Sequence, residues 1–200
     1  CVTLAAAISI ACVARIVIPN IFVSTSEYLA LADYSTAYEK AKEEDKESVL
    51  VENLIATLAA QAENDLNDSS SFNLKKVWYD KDDNYIVMSI SGTNKMGGMV
   101  TNHWCYSVFK GGYSLVDSLS DTDSEQIEKY DNKDDIVDKV VHNMAVNIVK
   151  EAVVDKYQLD NELVKRINDL HKEGKLQDVT LLEETKSLYP SKSDTSDSET

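Results

Sequence analysis

Residues 72–119, FNLKKVWYDKDDNYIVMSISGTNKMGGMVTNHWCYSVFKGGYSLVDSL, decide the fold. Runs rich in β-branched and aromatic residues alternate there with short turn clusters, the pattern of strands joined by hairpins. Phe72–Tyr79 alternates apolar and polar positions, and Asp80–Asn84 is turn chemistry. Tyr85–Ser91 sets Ile86, Met88 and Ile90 against Tyr85, Val87 and Ser89. Thr93–Gly98 reads as a loop, Met99–Phe109 as a long third strand, and Gly111-Gly112 as a hairpin turn into Tyr113–Leu119. Connections this short join antiparallel neighbours, so the spacing predicts a four-stranded antiparallel meander.

Helical patterns flank the strands. Between Pro19 and Gly92 the chain has neither Pro nor Gly, and residues 26–66 carry apolar stripes at helical spacing. One stripe runs from Tyr28 to Tyr38, the other from Leu50 to Ala62, and the polar run EKAKEED separates them. That run is either a solvated stretch of one long helix or the joint of a helical hairpin, and the joint is favoured. Asn67–Ser71 then ends the helical region. Beyond an acidic loop, residues 136–152 present a wide apolar stripe that includes Val140, Met144, Ala145, Ile148 and Val149. Asp160 or Asn161 caps a further helix with Leu163, Ile167 and Leu170, stopped by Gly174. The expected class is α+β, with the two C-terminal helices covering one face of the sheet.

Four segments follow from this. Residues 1–23 form a transmembrane anchor or signal segment, 24–69 a helical region, 70–189 the α+β domain, and 190–200 a disordered acidic tail lacking apolar side chains. Within residues 2–23 the strongly polar residues are Arg15 and Asn20. A helix of that length spans about 33 Å, enough for a hydrocarbon core of about 30 Å. A signal-anchor helix, a cleaved secretory signal and a lipidated N-terminal cysteine are the three readings of it. Each places the remainder outside the membrane. The flank after Val23 agrees, because it carries Lys40 and Lys42 against Glu27, Asp33, Glu39 and Glu43, with no basic excess.

The net charge of −15 opposes phosphate backbones, which argues against nucleic-acid binding. Cys105 is the one cysteine beyond the N-terminal segment, so no disulfide forms within the domain. His103 and Cys105 share a strand face but lack the further ligands zinc requires. Asp80-x-Asp82-x-Asn84 begins like a calcium loop, then has Tyr85 where Gly is needed. Neither catalytic residues, a cofactor nor a metal site is expected. The candidate for contact is the loop Asn94, Lys95, Met96, Gly97 and Gly98, since binding residues concentrate on loops.

Helices, a meander and further helices behind a membrane segment resemble, in element succession, the NTF2-like domains. That resemblance implies a component of a secretion or conjugation machine. The residues themselves favour a non-enzymatic binding or assembly domain, tethered outside the cell membrane, with a protein partner. A small hydrolase-like enzyme on the same scaffold and a secreted form are the alternatives.

Overall fold

The computed structural model describes residues 23–81, 83–93, 96–120, 143–149 and 158–188. Helix α1 spans Val23–Leu29, α2 Tyr34–Lys40 and α3 Glu43–Asp65. Asp33 makes the first connection sharp. Its N–H donates to Tyr28 O at 2.9 Å while Ala32 N–H donates to Leu29 O at 3.1 Å, which closes the end of α1. The Asp33 carboxylate then accepts from Thr36 N at 3.0 Å and caps α2. The helix break inside EKAKEED falls at Ala41 and Lys42, where the backbone is extended. Acidic Glu43, Glu44 and Asp45 occupy the first turn of α3, the sign its dipole favours.

Strands β1 (Asp68–Asp80), β2 (Tyr85–Thr93), β3 (Met99–Phe109) and β4 (Gly112–Ser120) form one antiparallel sheet in the order β1-β2-β3-β4. The expected meander is therefore present. β1 begins before Phe72 because Asp68, within the stretch expected to close the helical region, pairs with Thr93; across the irregularity that follows, the Ser71 hydroxyl accepts from Thr93 N at 2.7 Å.

Strict alternation would put Phe72 and Leu74 on the opposite face from Val77 and Tyr79. A bulge at Lys75 prevents this: Leu74 pairs with Ile90 and Lys76 with Ser89. The extra residue restores parity, and all four side chains enter one core. Across the sheet, Ile86, Met88, Ile90, Trp104, Tyr106 and Val108 continue that face.

Helix α5 (Asn161–Lys172) is capped by Asp160, which accepts from Glu162 N at 3.0 Å, and ended by Gly174 at φ +69°. It covers the first face with α3. It also seals the β1 edge, because Asn168 donates to Leu74 O at 2.8 Å and accepts from Leu74 N at 2.9 Å. An amide so placed imitates a strand partner. Leu159 N–H extends the seal by donating to Val77 O at 2.8 Å.

Residues 143–149 are helical (α4) and lie against the second face, where Ala145, Val146 and Val149 meet Trp78, Val87, Cys105 and Leu119. One-face coverage thus holds for α5, and α4 adds a smaller cluster opposite. The expected stripe is rotated: Val146 is buried, whereas Met144 is 42% exposed. Ala145 and Val149 of that stripe are buried as expected, while Val140 and its other members before 143 and after 149 lie outside the described residues. The C-terminal stretch, with a 3-10 turn at Leu176–Asp178 and α6 at Glu183–Lys186, returns to α3. The fully buried Asn53 holds it there, donating to Thr180 O at 2.9 Å and accepting from Leu182 N at 3.0 Å and Thr185 Oγ1 at 2.8 Å.

Candidate functional site

The first face of the sheet leaves little room for chemistry. Its side chains are largely apolar and pack against α3 and α5, with Trp104 Nε1 and Tyr106 Oη buried there without a hydrogen-bond partner among the described residues. Two of the buried acids on α3, Glu52 and Glu63, have partners across the fold. Glu52 is fully buried and forms a two-pronged ion pair with Arg166, Nε to Oε1 at 2.8 Å and Nη2 to Oε2 at 3.1 Å. The Tyr34 hydroxyl adds a longer donation to Oε1 at 3.4 Å. Glu63 meets His171 Nδ1 at 2.9 Å and accepts from Gln177 Nε2 at 2.6 Å. Both acids join α3 to elements distant in sequence, the usual arrangement by which a buried charge is tolerated.

The second face is divided. Register places Trp78, Val87, Cys105 and Asp117 in one row across the four strands. That end is apolar and carries α4. The next row runs Lys76, Ser89, His103 and Leu119, and the one beyond it Asn73, Ser91 and Thr101. Hydroxyl, imidazole, amide and ammonium groups therefore replace hydrophobes toward the β2–β3 loop. Ser89 and Ser91 are 6% and 5% exposed, so this polar strip crosses the sheet centre. The Lys76 ammonium stands 5.8 Å from the Trp78 ring centroid, and Trp78 meets His103 edge-on at 6.2 Å.

The loop expected to make contact lies at the end of the polar strip. Asn94 and Lys95 are outside the described residues. Met96 is 94% exposed and Met99, opening β3, is 67% exposed. Gly97 has φ +80° with nothing within 4 Å of an added Cβ, so its requirement is conformational and not steric. Gly98 completes the turn. Gly92, by contrast, is fixed by packing, since a Cβ there would lie 2.8 Å from Leu66 Cδ1.

His103 and Cys105 do share the second face. Burial pushes the Cys105 thiol up to about 12, which leaves it a poor nucleophile. Among the described residues, no three His, Cys, Asp or Glu side chains gather as metal ligands. The Asp80 carboxylate instead accepts from Asp83 N at 3.1 Å and shapes the β1–β2 turn, whose Asn84 has φ +58°. His142 and Asp82 lie outside the described residues.

Sequence patterning alone did not bring Lys76, Ser89, Ser91 and His103 together. The signal was present in β2, where Ser89 and Ser91 replace the hydrophobes that Tyr85 and Val87 begin, but only register shows what stands beside them. Among the described residues no helix is long and apolar enough to cross a membrane; the apolar segment falls almost wholly outside them. Neither a protein-family model, nor a curated protein, nor a solved structure matches the chain.

Proposed function

We propose that the chain is a non-enzymatic binding domain, tethered outside the cell membrane by residues 2–23, that engages a protein partner through the β2–β3 hairpin tip. The observation that carries this reading is the pair Met96 and Met99, 94% and 67% exposed at the end of a fully paired hairpin. Methionine is flexible and polarizable, and it suits contact surfaces that adapt to a partner. A rigid hairpin beneath a mobile side chain limits the entropy lost on docking. The filled first face supports a binding role over a pocket-bearing enzyme, because Glu52 and Glu63 beneath it are engaged in joining α3 to distant elements. The tether rests on the apolar run and on the acidic flank that follows it.

Photo-crosslinking in native envelopes tests both parts. A benzophenone amino acid at position 96 is expected to give a discrete adduct, and the same group at Leu31, itself 59% exposed, to give none. The adduct should stay in the pellet after carbonate washing. Equal adducts from both positions overturn the tip, and recovery of the chain in the wash overturns the tether.

A further inference from the structure

We infer that the polar half of the second sheet face is a binding site for an oxyanion, a carboxylate or a phosphate group. Trp78 is 3% exposed, and its indole Nε1–H is buried with no acceptor among the described residues. Such a group has one function, to donate, and leaving it unmet costs about 1–3 kcal/mol. Two positions away on the same face stands Lys76, whose ammonium lies 5.8 Å above that ring and is likewise a donor alone. Ser89 is the cross-strand partner of Lys76, and His103 is the partner of Ser89 in turn.

The two polar rows hold no carboxylate: Lys76, Ser89 and His103, then Asn73, Ser91 and Thr101. In a chain of net charge −15 that is an unusual place. Acids flank the rows on this face: Asp80, two positions beyond Trp78 on β1, whose carboxylate accepts from Asp83 N, and Asp117, opposite Cys105 on β4. A patch of obligate donors with hydroxyls between them matches an anionic acceptor, and an ammonium supplies the charge-assisted bond. The inference stands independently of the tether and of the hairpin tip.

The chain has two tryptophans, so its amide spectrum contains two indole N–H signals. Trp104 faces the opposite core and serves as the internal control. The full chain in detergent is titrated with sodium acetate, with sodium phosphate, and with sodium chloride at matched ionic strength. The Trp78 indole signal is expected to move and saturate with acetate, phosphate or both, while Trp104 stays still. Whichever salt saturates at lower concentration identifies carboxylate or phosphate as the group recognised. Lys76→Met should weaken that binding about tenfold or more, the worth of one hydrogen bond to a charged group, and Lys76→Arg should retain it. Lys76 is exposed, so neither change threatens the fold. A Trp78 signal that never moves, that follows chloride equally, or that responds unchanged in Lys76→Met overturns the site.

Discussion

Ala32 adopts φ +60°, a left-handed conformation in the position after a helix that glycine normally takes. The penalty on a Cβ there is about 1 kcal/mol. Ala32→Gly should therefore stabilise the chain by several tenths of a kcal/mol, after the entropy glycine adds to the unfolded state is deducted. Urea denaturation measures this, and a loss of stability would show that the Ala32 methyl packs more than its backbone strains. Gly97 at φ +80° predicts the converse, a cost of about 1 kcal/mol for Gly97→Ala. The buried pair gives a sharper case. Burial pushes the Glu52 carboxyl above its usual range, and Arg166 and Tyr34 pull it only part of the way back. A group with a raised folded-state pKa favours folding at acid pH and loses that contribution as pH rises through the folded value. Arg166→Met leaves the carboxylate unpaired and should cost about 3–5 kcal/mol at neutral pH. Without the guanidinium the raised value climbs further, so the deficit should shrink as the solution is acidified. Melts of wild type and variant at mildly alkaline and mildly acid pH read this directly; a deficit that grows with acidity would exclude it.

Elements differ in how openly the sequence declares them. Met99–Phe109 was legible to the residue, because β-formers fill it and glycines bound it at both ends. So were the Asp160 cap and the Gly174 stop of α5, which are local signals. The Lys75 bulge was not legible, since Phe72–Tyr79 reads as plain alternation until Ile90 and Ser89 are placed opposite. The burial of Val146 in place of Met144 shows the same limit: a stripe gives a face, and the neighbour decides its rotation. The candidate site was half legible. The exposed Met96 follows from loop composition, whereas the Lys76–Ser89–His103 row depends on strands pairing in one register. Long-range amides give no local sign at all. Asn53 reaches residues more than 120 positions away, and Asn168 reaches Leu74. Asn53→Leu removes three hydrogen bonds and leaves the Thr180 carbonyl, the Leu182 amide and the Thr185 hydroxyl unmet. The expected loss is about 3 kcal/mol or more, concentrated in faster amide exchange across residues 180–188. Exchange that rises uniformly over the sheet instead would mean that the C-terminal stretch is not a separate clasp.

For the molecule as a whole, the question is how much chain the sheet needs in order to fold. The four strands with α5 form a compact unit in sequence, residues 70–188, and the acidic surface keeps such a fragment dispersed. Yet the first face is covered chiefly by α3, whose Leu54, Ile55 and Leu58 are each 1% exposed or less. Burying each is worth about 1.5–3 kcal/mol, so removing these three alone forfeits about 5–9 kcal/mol. A whole domain has about 5–15 kcal/mol to lose. Glu52, Asn53 and Glu63 would leave with the helix as well, taking the partners of Arg166, Thr185 and His171. Residues 24–188 should accordingly unfold in one sharp thermal transition, with near-ultraviolet circular dichroism from fixed aromatic side chains. Residues 70–188 should retain strand signal in the far ultraviolet, lose the near-ultraviolet signal and bind a hydrophobic dye, the marks of a sheet with one face uncovered. A cooperative melt from the shorter fragment would show that α5 and the C-terminal stretch close the core without α3, and that the N-terminal helices are an independent unit resting on it.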